Sequence, residues 1–164
     1  MKKQAIYLFS SMLLICMVAM SCNDNDEDPK PIEQKKVYTL NQVGDSGVMG
    51  TVTFTKQNDD FTMVSIELEG TMDGDMHPSH IHANSASEGG GILIDLTSVD
   101  GETGKSETSV TQLNDGTPIT YQELIAFDGY VNVHKSPSEL STLLAQGNIG
   151  SNVGSSSGNG GGSY

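Results

Sequence analysis

Residues Phe61-Thr62-Met63-Val64-Ser65-Ile66-Glu67-Leu68-Glu69 place Val64, Ile66 and Leu68 at every second position, with Ser65, Glu67 and Glu69 between them. A repeat of two is the repeat of an extended strand with one face buried, and a helix has no use for it. The run follows Asn58-Asp59-Asp60, a turn cluster. Outward from it the same pattern returns. Val37-Tyr38-Thr39-Leu40 lies upstream, and Val48-Met49-Gly50-Thr51-Val52-Thr53-Phe54 follows the turn Gly44-Asp45-Ser46-Gly47. Ile92-Leu93-Ile94-Asp95-Leu96, Thr108-Ser109-Val110-Thr111 and Tyr130-Val131-Asn132-Val133-His134 lie downstream. Short strands set apart by turn clusters, with no internal repeat, predict an all-β domain: a Greek-key β-sandwich or flattened barrel of about seven to eight antiparallel strands. Ser138 to Ala145, with Pro137 ahead of it and Leu140, Leu143 and Leu144 on one side, predicts one short helix near the C-terminus.

The ends of the chain read differently. Lys2 and Lys3 precede an apolar run from Ala5 to Met20, and Ala19-Met20-Ser21 leads into Cys22. That order is expected of a signal peptide over residues 1–21. A cysteine directly after it resembles the lipobox of bacterial lipoproteins, which makes Cys22 the candidate lipidation site and the lipid bilayer an expected partner. Cys16 leaves with the leader, so Cys22 is the only cysteine of the mature chain and no internal disulfide can form. Residues 22–36 are acidic, then proline-bearing, then basic, and are expected to form a disordered stalk. The domain proper is expected over 37–152, and the Gly/Ser-rich stretch 153–164 reads as a flexible tail.

Charge narrows the partners. The chain carries a formal charge of −13, and removing Lys2 and Lys3 leaves −15. Arginine is absent. A balance of that sign excludes nucleic acid, and without a guanidinium there is no bidentate grip on anions.

All four histidines fall in two segments, Met76-His77-Pro78-Ser79-His80-Ile81-His82 and Tyr130-Val131-Asn132-Val133-His134. On a strand His80 and His82 share a face, roughly 6.5 to 7 Å apart along the chain. His134 shares a face with Tyr130 and Asn132, opposite Val131 and Val133. Three imidazoles from two strands suit copper or zinc, and the lack of a thiolate or a carboxylate cluster argues against iron-sulfur and calcium sites. Surface or structurally satisfied histidines are the alternative.

These residues resemble, in order over about residues 37–152, the copper/zinc superoxide dismutases and their exported relatives, including the CHRD domain. His77-Pro78-Ser79-His80-Ile81-His82 is similar to the dismutase HxxHxH, and Val131-Asn132-Val133-His134 to the strand bearing the last copper histidine. The resemblance implies His80, His82 and His134 as metal ligands, with copper ahead of zinc and His77 in support behind them. Asp95 lies where the zinc-binding aspartate would be and, lacking histidine partners, is expected to support structure. The strand Tyr130 to His134 and the short Gly-rich link after His82 favour the CHRD branch, and bacterial lipoproteins of the Bacteroidota type look much like this chain. From that likeness, and from acidic residues behind the cysteine, a cell-envelope, outer-membrane location, surface-exposed, is expected. The dismutase pattern is incomplete: nine residues, Ala83 to Gly91, replace the zinc loop, the disulfide cysteines are missing, and Asn152 stands where the guiding arginine would be. A copper- or zinc-binding domain with little or no catalysis is therefore the leading expectation. A copper-only superoxide dismutase and an extracellular protein- or glycan-binding module with structural histidines are the alternatives. The resemblance also leaves the tail from Ser151 in place of a last strand, and with it an exposed sheet edge.

Overall fold

The computed structural model describes residues 34–57 and 61–154. Cys22, the leader, most of the stalk and the tail beyond 154 lie outside the described residues. Eight antiparallel strands close a barrel: β1 (Lys35–Gln42), β2 (Met49–Lys56), β3 (Thr62–Glu69), β4 (Met76–Ala83), β5 (Ile92–Asp100), β6 (Lys105–Val110), β7 (Asp128–His134) and β8 (Leu143–Gly150), in the spatial order β1-β2-β3-β6-β5-β4-β7-β8. The all-β, Greek-key expectation holds. The links from β3 to β4 and from β6 to β7 each pass over two strands before pairing resumes, which is the Greek-key connection.

The barrel is flattened because two of its seams are thin. β5 meets β6 through the single pair Asp100 and Lys105, and β1 meets β8 only at Asn41–Gln146 and Gln42–Ala145. The other six seams are longer ladders, so the molecule reads as two four-stranded sheets, β1-β2-β3-β6 and β5-β4-β7-β8, joined at their corners. Alternate residues point between the sheets. Val52 and Phe54 of β2, Val64 and Ile66 of β3, Ile81 of β4, and Val131 and Val133 of β7 are fully or almost fully buried there.

Two expectations are corrected at the C-terminal end. Ser138 to Ala145 is not a helix: turns closed by Glu139 N–H to the Ser136 carbonyl and Thr142 N–H to the Glu139 carbonyl lead directly into β8. The leucines look helical over eight residues, but the segment continues Gln146-Gly147-Asn148-Ile149-Gly150, where two glycines penalise a helix and the β7 ladder offers seven residue pairs. β8 is also the closing strand, so the expected exposed edge is absent among the described residues. The helix that does form is α1 (Tyr121–Ile125), started by a capping box in which Thr120 and Glu123 each bond the other's backbone N–H. It buries Tyr121 and Leu124 against the core. β1 starts at Lys35, two residues ahead of Val37.

Candidate metal centre

β4 and β7 are adjacent, with Ser79 opposite Val133, His80 opposite Asn132 and His82 opposite Tyr130. This register puts Ile81, Val131 and Val133 on the core side and His80, Asn132, His82, Tyr130 and His134 together on the outer face of the sheet. His134 sits diagonally from His80, a spacing that aromatic side chains can bridge. The pairing of β4 with β7 thus joins two histidines two residues apart in sequence to one more than fifty residues away.

The outer face is not bare. Every residue of β7 from Gly129 to His134 is buried, Val131 and Val133 in the core and the outward-facing residues under residues 84–91 and 135–142, which fold over the sheet. Residues 84–91 are held down by Ala86 N–H donating to Asn148 Oδ1 (2.8 Å) and Gly90 N–H donating to the Tyr130 hydroxyl (3.2 Å). Tyr130 in turn stacks on His82, ring centroids 4.9 Å apart and 18° from parallel.

One ligand nitrogen from each of His80, His82 and His134 lies within 4.8 Å of the other two. Backbone oxygens select which nitrogen that is. His82 Nδ1 is 3.0 Å from the Gly90 carbonyl and His134 Nδ1 is 2.6 Å from the Leu140 carbonyl. A carbonyl can only accept, so each Nδ1 carries the proton and each Nε2 keeps its lone pair. His80 is turned the other way: its Nε2 lies 3.7 Å from Asp95 Oδ1 and its Nδ1 is 3.0 Å from His134 Nε2. With His134 Nε2 a lone pair, the proton between it and His80 Nδ1 belongs to His80; to hold a metal at Nδ1 of His80 and Nε2 of His82 and His134, His80 would shift that proton to its Nε2, beside Asp95, and each ring would be backed on its far side by an oxygen, as metal-ligating histidines usually are. Metal–nitrogen bonds of about 2.0 to 2.1 Å separate two tetrahedral ligands by roughly 3.3 Å, so the set must draw in from its spread of up to 4.8 Å to hold one ion.

Electrostatics keep the set ready. Burial pushes His80 below the usual histidine pKa, and the neighbouring His134 and His82 push it further, against the opposing pull of Asp95. Burial likewise lowers His134, with the Leu140 carbonyl opposing and His82 adding to the fall. Both rings are neutral at neutral pH, the form that binds metal.

The remaining sequence candidates have distinct places. His77 is buried on the core side and does not join the cluster; its Nδ1 donates to the Lys135 carbonyl at 2.8 Å, which ties down the residue following His134. Asp95 is exposed and held by Asn114, whose Nδ2 donates to Oδ2 at 3.1 Å. Asn152 spends its amide on the Asn84 carbonyl (3.0 Å), Asp128 (2.7 Å) and the Gly129 carbonyl (3.3 Å), fastening the chain end to the β4–β7 end of the sheet. Gly90, Leu140, Asn132 and Gln146 belong to the site and were not foreseen. Asn132 had a signal, since it alternates onto the face of His134, but its position opposite His80 depends on the register.

A protein-family model described as CHRD domain matches residues 35–161. No curated protein matches the chain.

Proposed function

This chain belongs to the CHRD domain family, and on that footing we propose that it is an exported, lipid-anchored protein that captures copper, or less readily zinc, through His80, His82 and His134 without significant turnover. Its superoxide dismutase-like character lies in the ligand set. The observation that carries the proposal is the convergence of three ligand nitrogens, with the far nitrogens of His82 and His134 committed to backbone oxygens. Three imidazoles favour Cu(II) over the other divalent first-row ions, including zinc. When bound, copper would supply one-electron chemistry; the chain's own contribution is to aim the rings, fix their tautomers and shield them from water.

Capture is favoured over dismutation by the surroundings. Asp95 lies beside His80, Asn152 is committed to three oxygens, and Lys135, the residue after His134, is paired with Glu139 at 3.0 Å. A negative field with that lysine paired draws cations and repels small anions. Superoxide dismutation is the alternative, and one observation favours it: the His80 side chain keeps 14% of its surface exposed, enough for a small anion to reach the site.

Lipidation at Cys22 and a place in the cell envelope, at the outer membrane and facing outward, complete the proposal, supported by the leader and by a cysteine directly after it. Titration with Cu²⁺ and Zn²⁺ should give one ion per chain, with Cu²⁺ bound more tightly and uptake lost in His80→Ala and His134→Ala. A superoxide assay on the loaded protein should show little activity; a rate well above that of the free ion would establish the dismutase instead. Incorporation of labelled fatty acid, lost in Cys22→Ser, tests the anchor.

A further inference from the structure

Asn132 stands directly opposite His80 on the neighbouring strand and is 6% exposed. Gln146 Nε2 donates to its Oδ1 at 2.7 Å, and its Nδ2 lies 3.5 Å from His82 Nε2. This amide can point only one way. The proton of His82 is on Nδ1, against the Gly90 carbonyl, so the Nε2 facing Asn132 is a lone pair and only an N–H group can sit against it. Gln146 completes the assignment by presenting its own NH₂ to the oxygen of Asn132. The NH₂ of Asn132 is therefore aimed at the nitrogen that would hold the metal.

Binding creates a deficit. Once the lone pair of His82 is taken, the buried N–H of Asn132 loses its acceptor, and a buried donor without a partner is costly. Three histidines also leave a coordination position open on copper or zinc. We propose that Asn132 is the hydrogen-bond donor for a small exogenous ligand sharing the metal with His80, His82 and His134: water, hydroxide or a small anion with an oxygen or nitrogen donor atom. Gln146 is the positioning residue that keeps the amide turned toward it. This rests on the metal-capture proposal above.

Azide is a suitable probe, because its binding to Cu²⁺ gives a near-ultraviolet charge-transfer band that needs no turnover. The full-length protein loaded with one Cu²⁺ should develop that band, and Asn132→Leu should weaken azide by about tenfold while still taking up Cu²⁺. Asn132→Asp keeps the shape and the bond from Gln146 but has no N–H to give, so it should weaken azide at least as much even if the leucine variant fails to fold. Azide affinity unchanged within twofold in the folded variants would overturn the proposal. So would a loaded wild-type protein that azide does not perturb, and in that case copper capture itself would stand. A wild-type protein that takes up no Cu²⁺ would sink both.

Discussion

At the scale of single residues, the site depends on atoms that are not ligands. The Gly90 carbonyl sets the tautomer of His82, and Gly90 is pressed so close to the Ala83 carbonyl that an added Cβ would collide with it. Gly90→Ala should therefore displace that carbonyl and weaken Cu²⁺ binding by roughly tenfold, within the range seen when the outer partner of a ligand is lost; calorimetric titration against wild type checks it. Protonation provides a second test. His80 and His134 have folded-state pKa values below the 6.5 of an unfolded chain. Below pH 6.5 the unfolded chain takes protons that the folded one refuses, so the stability these rings contribute is complete above that value and falls as pH drops through the folded values. The urea midpoint of metal-free protein should decline from pH 7 to 5, a window above the lowered carboxyl pKa values of Glu88, Asp100, Asp115 and Glu123. The decline should shrink in the His80→Gln, His134→Gln double variant.

At the scale of elements, β8 does most to make the fold more than a stack of hairpins. It pairs with β7 along its length, supplies Gln146 to orient Asn132, and closes the barrel on β1. Closure needs Gly147: a side chain there would strike the Thr39 carbonyl and crowd Leu40. Gly147→Val should open the β1–β8 seam, costing about 1 to 3 kcal/mol as an overpacked core position does. Fast hydrogen exchange at Val43, whose N–H donates to the Leu144 carbonyl at 2.9 Å beside that seam, would report the opening. A stable variant with unchanged protection would mean the seam tolerates the extra volume.

At the scale of the whole molecule, the formal charge of −13 and the two-sheet barrel act together: the barrel gathers three imidazole rings on one outer face, and the field brings cations to them. The association rate of Cu²⁺ should accordingly fall as sodium chloride is raised, in stopped-flow mixing, because screening shortens the reach of the field. A rate independent of salt would show that the surface charge plays no part in delivery. Residue order alone settled the all-β class, because a repeat of two survives in any strand with one buried face, and it put His80 and His82 on a common face for the same reason. It marked His134 as their companion because all four histidines fall in two segments, and by likeness to a family. What it could not decide was whether Leu140, Leu143 and Leu144 belong to a helix, since a short apolar run satisfies either repeat until a neighbouring ladder competes for it. Nor could it choose the nitrogens. The ligand nitrogens of His80, His82 and His134 converge because of the β4–β7 register, and the carbonyls of Gly90 and Leu140, from segments folded back over the sheet, fix the tautomers of His82 and His134; hydrogen-bond partners of that kind exist only once the chain has closed.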